Sequence, residues 1–223
     1  MSYKLRSDVS FCRLDDTVIF LDLAADRYFA LPASSSAAFL ALIEGADLSR
    51  PQAASLGQLV ECGILGELDG PEEAIIPTAL CGPTRSLLDE PSQKCPSPVL
   101  MEALVFQTLA AHRVRTTPLR TVIAALATRK RQMKSRAAQS ALEMTQWCGR
   151  ASETLRLLIS SQDRCLGRSL ALANHLARKG CPFSLVFGVK LHPFGAHAWV
   201  QQGDLVLNSR LDEVLGYTPI LVA

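Results

Sequence analysis

Apolar and polar positions alternate in short bursts near the start of the chain: Val9 and Phe11 before Arg13, then 17–23, then 27–31, separated by Asp15-Asp16 and Ala24-Ala25-Asp26. This period-two pattern predicts three β-strands joined by tight turns. Pro32 ends the third strand, and Ser34-Ser35-Ser36 is placed to cap a helix whose apolar positions Phe39, Leu40, Leu42 and Ile43 run to Gly45. A second helical stretch, 52–62, carries Leu56, Leu59 and Val60, with Gly63 as its C-cap and Ile64-Leu65 as a short return strand. Three strands, two helices and a return strand make a small winged-helix-like unit ending near Leu68.

The pattern then breaks. From 69 to 98 six prolines (71, 77, 83, 91, 96 and 98) interrupt any regular element, which predicts an interdomain connection. Helical spacing returns over 99–112, 118–133 and 137–160, with apolar positions such as Leu155, Leu158 and Ile159. A further helix over 164–179 ends at Gly180, and β-like runs follow at 184–189, 196–202 and 205–208. The predicted domains are therefore 1–68, the connection 69–98, and 99–223, in an α+β chain.

Composition changes this picture little. Apolar residues are 48% and charged residues 20% of 223, ordinary for a folded globular chain. The net charge of +2 does not make nucleic acid the partner of the whole molecule. A local basic run from Arg113 to Arg136 contains no acidic residue and reads as a solvated helix face. With no apolar run of about 20 residues and no secretory-type N-terminus, a cytoplasmic protein without membrane contact is expected. Seven cysteines without a C-x-x-C pair suggest neither a disulfide framework nor a zinc site, and no metal or cofactor is expected.

Two residues carry candidate chemistry. Cys165 stands where the apolar helix Leu166, Leu170, Leu172, Leu176 begins. There the positive end of the helix dipole and unpaired N–H groups favour the attacking thiolate, and Arg164 adds a positive charge. His197 lies in the strand-like segment Gly195-Ala196-His197-Ala198-Trp199-Val200, where small neighbours leave the imidazole accessible. A helix-start cysteine followed by a strand histidine is the chain order of a papain-like nucleophile and base. His112 and His175 fall within helices and His192 precedes a proline, so they fit less well. Gln162 is a candidate oxyanion donor.

These strings resemble a known family, the lasso peptide biosynthesis B proteins, leader peptidases related to transglutaminases. The matching residues are Asp163-Arg164-Cys165-Leu166, Arg168-Ser169-Leu170-Ala171-Leu172, Gly188-Val189, His197-Ala198-Trp199-Val200 and Val206-Leu207-Asn208. Cys12-Arg13, Val18-Ile19-Phe20-Leu21-Asp22 and Asp26-Arg27-Tyr28-Phe29-Ala30-Leu31 resemble the PqqD-like leader-recognition domain that some of these proteins carry. The resemblance implies that a winged-helix-like N-terminal domain holds the leader of a ribosomal precursor. A papain- or transglutaminase-like domain then cuts it, and a separate asparagine-synthetase-like cyclase closes the lasso ring. The leader is expected to add as a β-strand along Arg27, Tyr28, Phe29, Ala30 and Leu31, with Leu59 among the residues walling the groove.

One departure concerns the third catalytic residue. The family usually follows its histidine strand with Asn-Asp, and here the chain reads Asn208-Ser209. A two-residue turn at Gly203-Asp204 brings the Asn208 amide within diagonal reach of His197, whereas a three-residue turn places Ser209 opposite it; Asp212 is a third choice. Two other function classes share parts of this sequence. A transglutaminase or acyltransferase would use the same thiol and base with an amine as acceptor. A winged-helix regulator would bind DNA, but 52–62 contains no Lys or Arg for a recognition helix.

Overall fold

The computed structural model describes residues 2–68, 74–91, 94–134, 137–158 and 165–223. The chain forms two compact units, 1–79 and 80–223, and its class is α+β.

In the first unit, β1 (Ser2–Leu5) is followed by β2 (Val9–Leu14), β3 (Thr17–Asp22) and β4 (Arg27–Ala30), then α1 (Ala33–Ile43), α2 (Arg50–Glu61) and β5 (Leu65–Leu68). The strands β2, β3 and β4 form an antiparallel meander in that order, leaving β4 at an edge. Its two turns place Asp15 and Asp26 at φ 53° and 49°, a left-handed conformation that aspartate tolerates better than most residues. The short return strand forms, but it does not join this sheet. It pairs antiparallel with β1, an element the alternation did not predict, from Ser2 opposite Leu68 to Leu5 opposite Leu65.

Capping separates the two helices of this unit. The serine cluster does not cap α1: the helix starts directly after Pro32, Ser35 and Ser36 are buried inside it, and Ser36 Oγ donates to the Leu31 carbonyl at 3.3 Å. Helix α2 starts earlier than the apolar spacing suggests because Ser49 and Gln52 make a capping box, with Pro51 in the first turn. Gly63 at φ +67° ends it, as predicted. Phe11, Phe20 and Phe39 meet with ring centroids 5.0 to 5.8 Å apart, and Phe29 stacks on Phe20 at 5.3 Å. Leu31 and Leu59, expected at a leader-binding surface, are instead buried in this aromatic core.

The second unit contains β6 (Arg85–Ser86), α3 (Ser97–Thr116), α4 (Leu119–Arg131), α5 (Ala138–Leu158), α6 (Cys165–Lys179), β7 (Ser184–Lys190), β8 (Gly195–Gln202), β9 (Leu205–Val206), α7 (Leu211–Leu215) and β10 (Thr218–Val222). Its sheet runs β10-β7-β8-β9-β6, antiparallel except for the β6–β9 pair. Helix α6 packs against α3, α5 and β8, and its inner face, including Leu170, Leu172 and Leu176, is buried.

Part of the stretch read as connection belongs to this sheet. The N–H groups of Thr84 and Arg85 donate to the Asp204 carbonyl at 3.0 and 3.3 Å, and Leu87 N–H donates to the Val206 carbonyl at 2.8 Å. Arg85 also pairs with the Asp204 carboxylate at 3.3 Å. The prolines exclude long elements here, but a two-residue parallel strand fits between Pro83 and Pro91. Helix α5 closes on the same edge. A Cβ at Gly149 would lie 2.4 Å from the Leu87 side chain and 3.3 Å from the Leu207 carbonyl.

Candidate active site

Cys165 is the first residue of α6, half-buried, and its neighbouring helix-start N–H groups have no partner within the helix. His197 is presented by β8 and is also half-buried. Both line one open cleft of about 1170 Å³, together with Asn208, Ser209, Arg168 and Tyr217. The arrangement brings a thiol, an imidazole and unpaired helix-start N–H groups to one cleft. Gln162 lies outside the described residues, as does Arg164.

The histidine ring is held on three sides. Nε2 lies 2.9 Å from Ser209 Oγ, and the ring centroid lies 5.5 Å from that of Tyr217 and 6.0 Å from that of Trp199. Gly188, the strand partner of His197, makes room for both aromatics: a Cβ there would lie 2.6 Å from the Trp199 ring and 2.9 Å from Tyr217 Cβ. Burial pushes the imidazole below the ordinary histidine value, against the opposing charge of Glu213. The neutral form, which accepts a proton, is thereby favoured.

Asn208 has another task. The turn is the two-residue one, with Gln202 opposite Leu205 and Gly203 at φ +59°, as a type II′ hairpin requires at its first central residue. That register was expected to offer the Asn208 amide to His197. Instead its Oδ1 accepts from Val200 N–H and its Nδ2 donates to Ser169 Oγ, both at 2.8 Å. Ser169 Oγ in turn donates to the Ala198 carbonyl at 2.8 Å. Ser169 lies one helical turn beyond Cys165, so this buried clamp ties the helix carrying the thiol to the strand carrying the imidazole.

The strand pairing of β9 stops at Val206, and the chain bends so that Ser209 faces His197. Ser86 holds that bend by donating its hydroxyl to the Ser209 carbonyl at 2.7 Å. Asp212, the third choice for orienting the imidazole, is exposed, and its carboxylate accepts from Glu213 N–H at 2.9 Å.

Sequence reasoning missed Ser169, Ser86, Glu213 and Gly188 as supports. Ser169 could have been found as a small hydroxyl on the face of Cys165, four residues on. Nothing local marks Ser86. Among the other thiols, burial pushes Cys12 up to about 12, which keeps it protonated and unreactive. All seven cysteines are free, and among the described residues no cluster of His, Cys, Asp and Glu can hold a metal ion. Nor is any described helix long and apolar enough to cross a membrane.

A sheet and helix bring a helix-start cysteine and a strand histidine to one cleft, an arrangement consistent with thiol-dependent acyl transfer. Residues 103–222 match the family described as the transglutaminase-like superfamily, and the chain belongs to that superfamily. The superfamily generally has cysteine-protease or acyltransferase activity. No curated protein and no solved structure matches the chain.

Of the residues expected to bind a leader, Arg27 and Ala30 are exposed and Tyr28 and Phe29 half-buried on β4. Arg27 lies over the Phe29 ring at 5.3 Å.

Proposed function

We propose that this chain is a cysteine peptidase that removes the leader from a ribosomally made lasso peptide precursor, with Cys165 as nucleophile and His197 as base. The observation that carries the reading is the shared cleft, in which the Ser209 hydrogen bond fixes one imidazole nitrogen and leaves the other for a thiol. His197 takes the Cys165 proton, and the sulfur attacks the scissile carbonyl carbon. The oxyanion is met by N–H groups at the start of α6. The imidazolium then protonates the leaving amine as the C–N bond breaks, leaving a thioester. Water, deprotonated by His197, attacks the thioester, releasing the carboxylate and restoring the thiol.

Ser209 is the orienting partner in this scheme, and Asn208 is a positioning residue acting through Ser169. The first unit serves as a PqqD-like leader-recognition domain. Its support is the edge strand β4, whose outer main chain can pair with an extended peptide while Tyr28 and Phe29 meet alternate side chains. Leu31 and Leu59 lie in the core and would not meet the leader directly. An asparagine-synthetase-like cyclase would receive the freed core peptide.

The test is incubation with a leader-bearing lasso precursor peptide, followed by mass spectrometry. Two fragments whose masses sum to that of the precursor plus water support peptidase action. An amine adduct at the leader's new C-terminal carbonyl, beside the released core, would identify acyl transfer instead, the superfamily's other chemistry. An intact precursor after incubation with active enzyme would overturn both.

A further inference from the structure

A second concavity lies away from the cleft, among α3, α4 and α6. It has a volume of about 560 Å³. Its floor is apolar, from Phe106, Leu109, Val122 and Leu170, and its rim carries Arg113, Arg129, Lys134, Arg178 and Lys179. None of the described residues lining it is acidic. Lys179 is already paired with Glu102 at 2.6 Å, and Arg129 is bonded to the Asn174 amide. Arg113, Lys134 and Arg178 are exposed and have no ion-pair partner among the described residues.

Helix C-termini attract cations, and Arg113, Arg129, Arg178 and Lys179 stand in the last turns of α3, α4 and α6. That accounts for positive charge but not for what lies beside it. Leu109 continues a stripe on α3 formed with Met101 and Val105, spaced four residues apart and 48, 62 and 55% exposed. Four of the eight large hydrophobic residues most exposed among the described residues belong to α3. An apolar stripe running into a cation-rimmed groove fits a complementary amphipathic surface.

We propose that this groove docks an acidic amphipathic segment of a partner protein, with aliphatic side chains on the floor and Asp or Glu side chains against Arg113, Lys134 and Arg178. A nucleic acid fits less well, because the single aromatic ring in the groove, Phe106, already stacks on His175 at 5.1 Å and is not open to a base. A lipid surface is flat, whereas these apolar groups form the floor of a concavity. A small anion would sit against helix C-termini, whose carbonyls repel it. The docking surface is independent of the peptidase reading.

The experiment uses the full chain and a fluorescent helical peptide with leucine on one face and glutamate on the other. Controls are a scrambled peptide of the same composition, a single-stranded DNA oligonucleotide, and vesicles containing phosphatidylserine. At low salt the amphipathic peptide should bind at least tenfold more tightly than any control. The triple variant Arg113→Glu, Lys134→Glu, Arg178→Glu should weaken it at least tenfold, and Leu109→Asn should weaken it severalfold. Neither change should alter melting temperature or alkylation of Cys165 by iodoacetamide. Equal binding of the scrambled peptide would reduce the groove to non-specific charge attraction and overturn the proposal. Tighter binding of DNA or vesicles would overturn it in favour of those ligands. Salt-reversible oligomers of the wild type that vanish in the triple variant would make the occupant a second copy of this chain and also overturn it.

Discussion

The two units solve opposite problems. The first keeps its polar groups outside: its core is a cluster of four phenylalanines, and among its described residues only Asp22, Ser35 and Ser36 are buried polar residues. In the second, buried polar side chains include Ser86, Ser169, Gln201, His175 and Ser209, most of them bonded across distant segments. Charge divides in the same way. Residues 1–79 hold twelve acidic and five basic side chains, and 80–223 hold nine acidic and eighteen basic, so nets of about −7 and +9 hide within the overall +2. An apolar core leaves a sheet edge as the natural place to bind, whereas placing a thiol, an imidazole and a hydroxyl together needs directional bonds.

The largest effect that would sharpen this contrast belongs to the reacting atoms. Cys165→Ala should abolish precursor cleavage, and His197→Ala should lower kcat by about 10²–10⁴-fold. Thermal melting of both variants should stay close to wild type. Cleavage by the Cys165→Ala protein would place the nucleophile elsewhere.

Next comes the polar clamp. Asn208→Ala leaves Val200 N–H and the Ser169 hydroxyl without their partner, so it should cost about 1–3 kcal/mol in denaturant unfolding as well as activity. Ser209→Ala should lower kcat on the order of tenfold with little loss of stability, less than an ionised partner's removal because a neutral hydroxyl orients without stabilising charge. If the two variants behave alike in both assays, the division between clamp and orienting partner fails.

Removing one unit breaks the comparison more directly. The fragment 80–223 should keep its fold and cleave with a raised KM, because it lacks the first unit that, in this proposal, holds the leader and raises the precursor's effective concentration. The shorter fragment 99–223 lacks β6 and Ser86, and should melt at lower temperature with reduced kcat. Tyr28→Pro in the full chain should mimic the loss of the first unit by raising KM alone. Equal kcat/KM for the full chain and 80–223 would leave the edge strand without this role.

The smallest effect is in pH. Burial lowers both His175 and His197, against the raising influence of Glu102 and Glu213, while Lys179 further lowers His175. The unfolded chain, with histidines near 6.5, therefore binds more protons as the medium acidifies. Stability present above about 6.5 should decline as pH falls through the lower folded values. Melting temperatures between pH 7.5 and 5, with His175→Gln flattening the slope, check this.

Much of the fold was legible in local pattern. Alternation marked the meander, Gly63 and Gly180 marked helix ends, and the position of Cys165 at the start of α6 followed from the apolar spacing after it. The two-residue turn at Gly203-Asp204 was one of two registers that the sequence left open. These depend on period, caps and turn residues, which act over a few neighbours. What tertiary structure alone decided were competitions between distant groups. β1 takes β5 as its partner from the far end of its unit, and β6 enters the sheet from a proline-rich stretch. Register offered Asn208 to His197, but Ser169 and Val200 satisfy its amide, and Ser86 holds the bend that brings Ser209 to the ring. A side-chain amide bonds whichever buried groups lack partners, and those are known only once helix, strand and loop have been brought together.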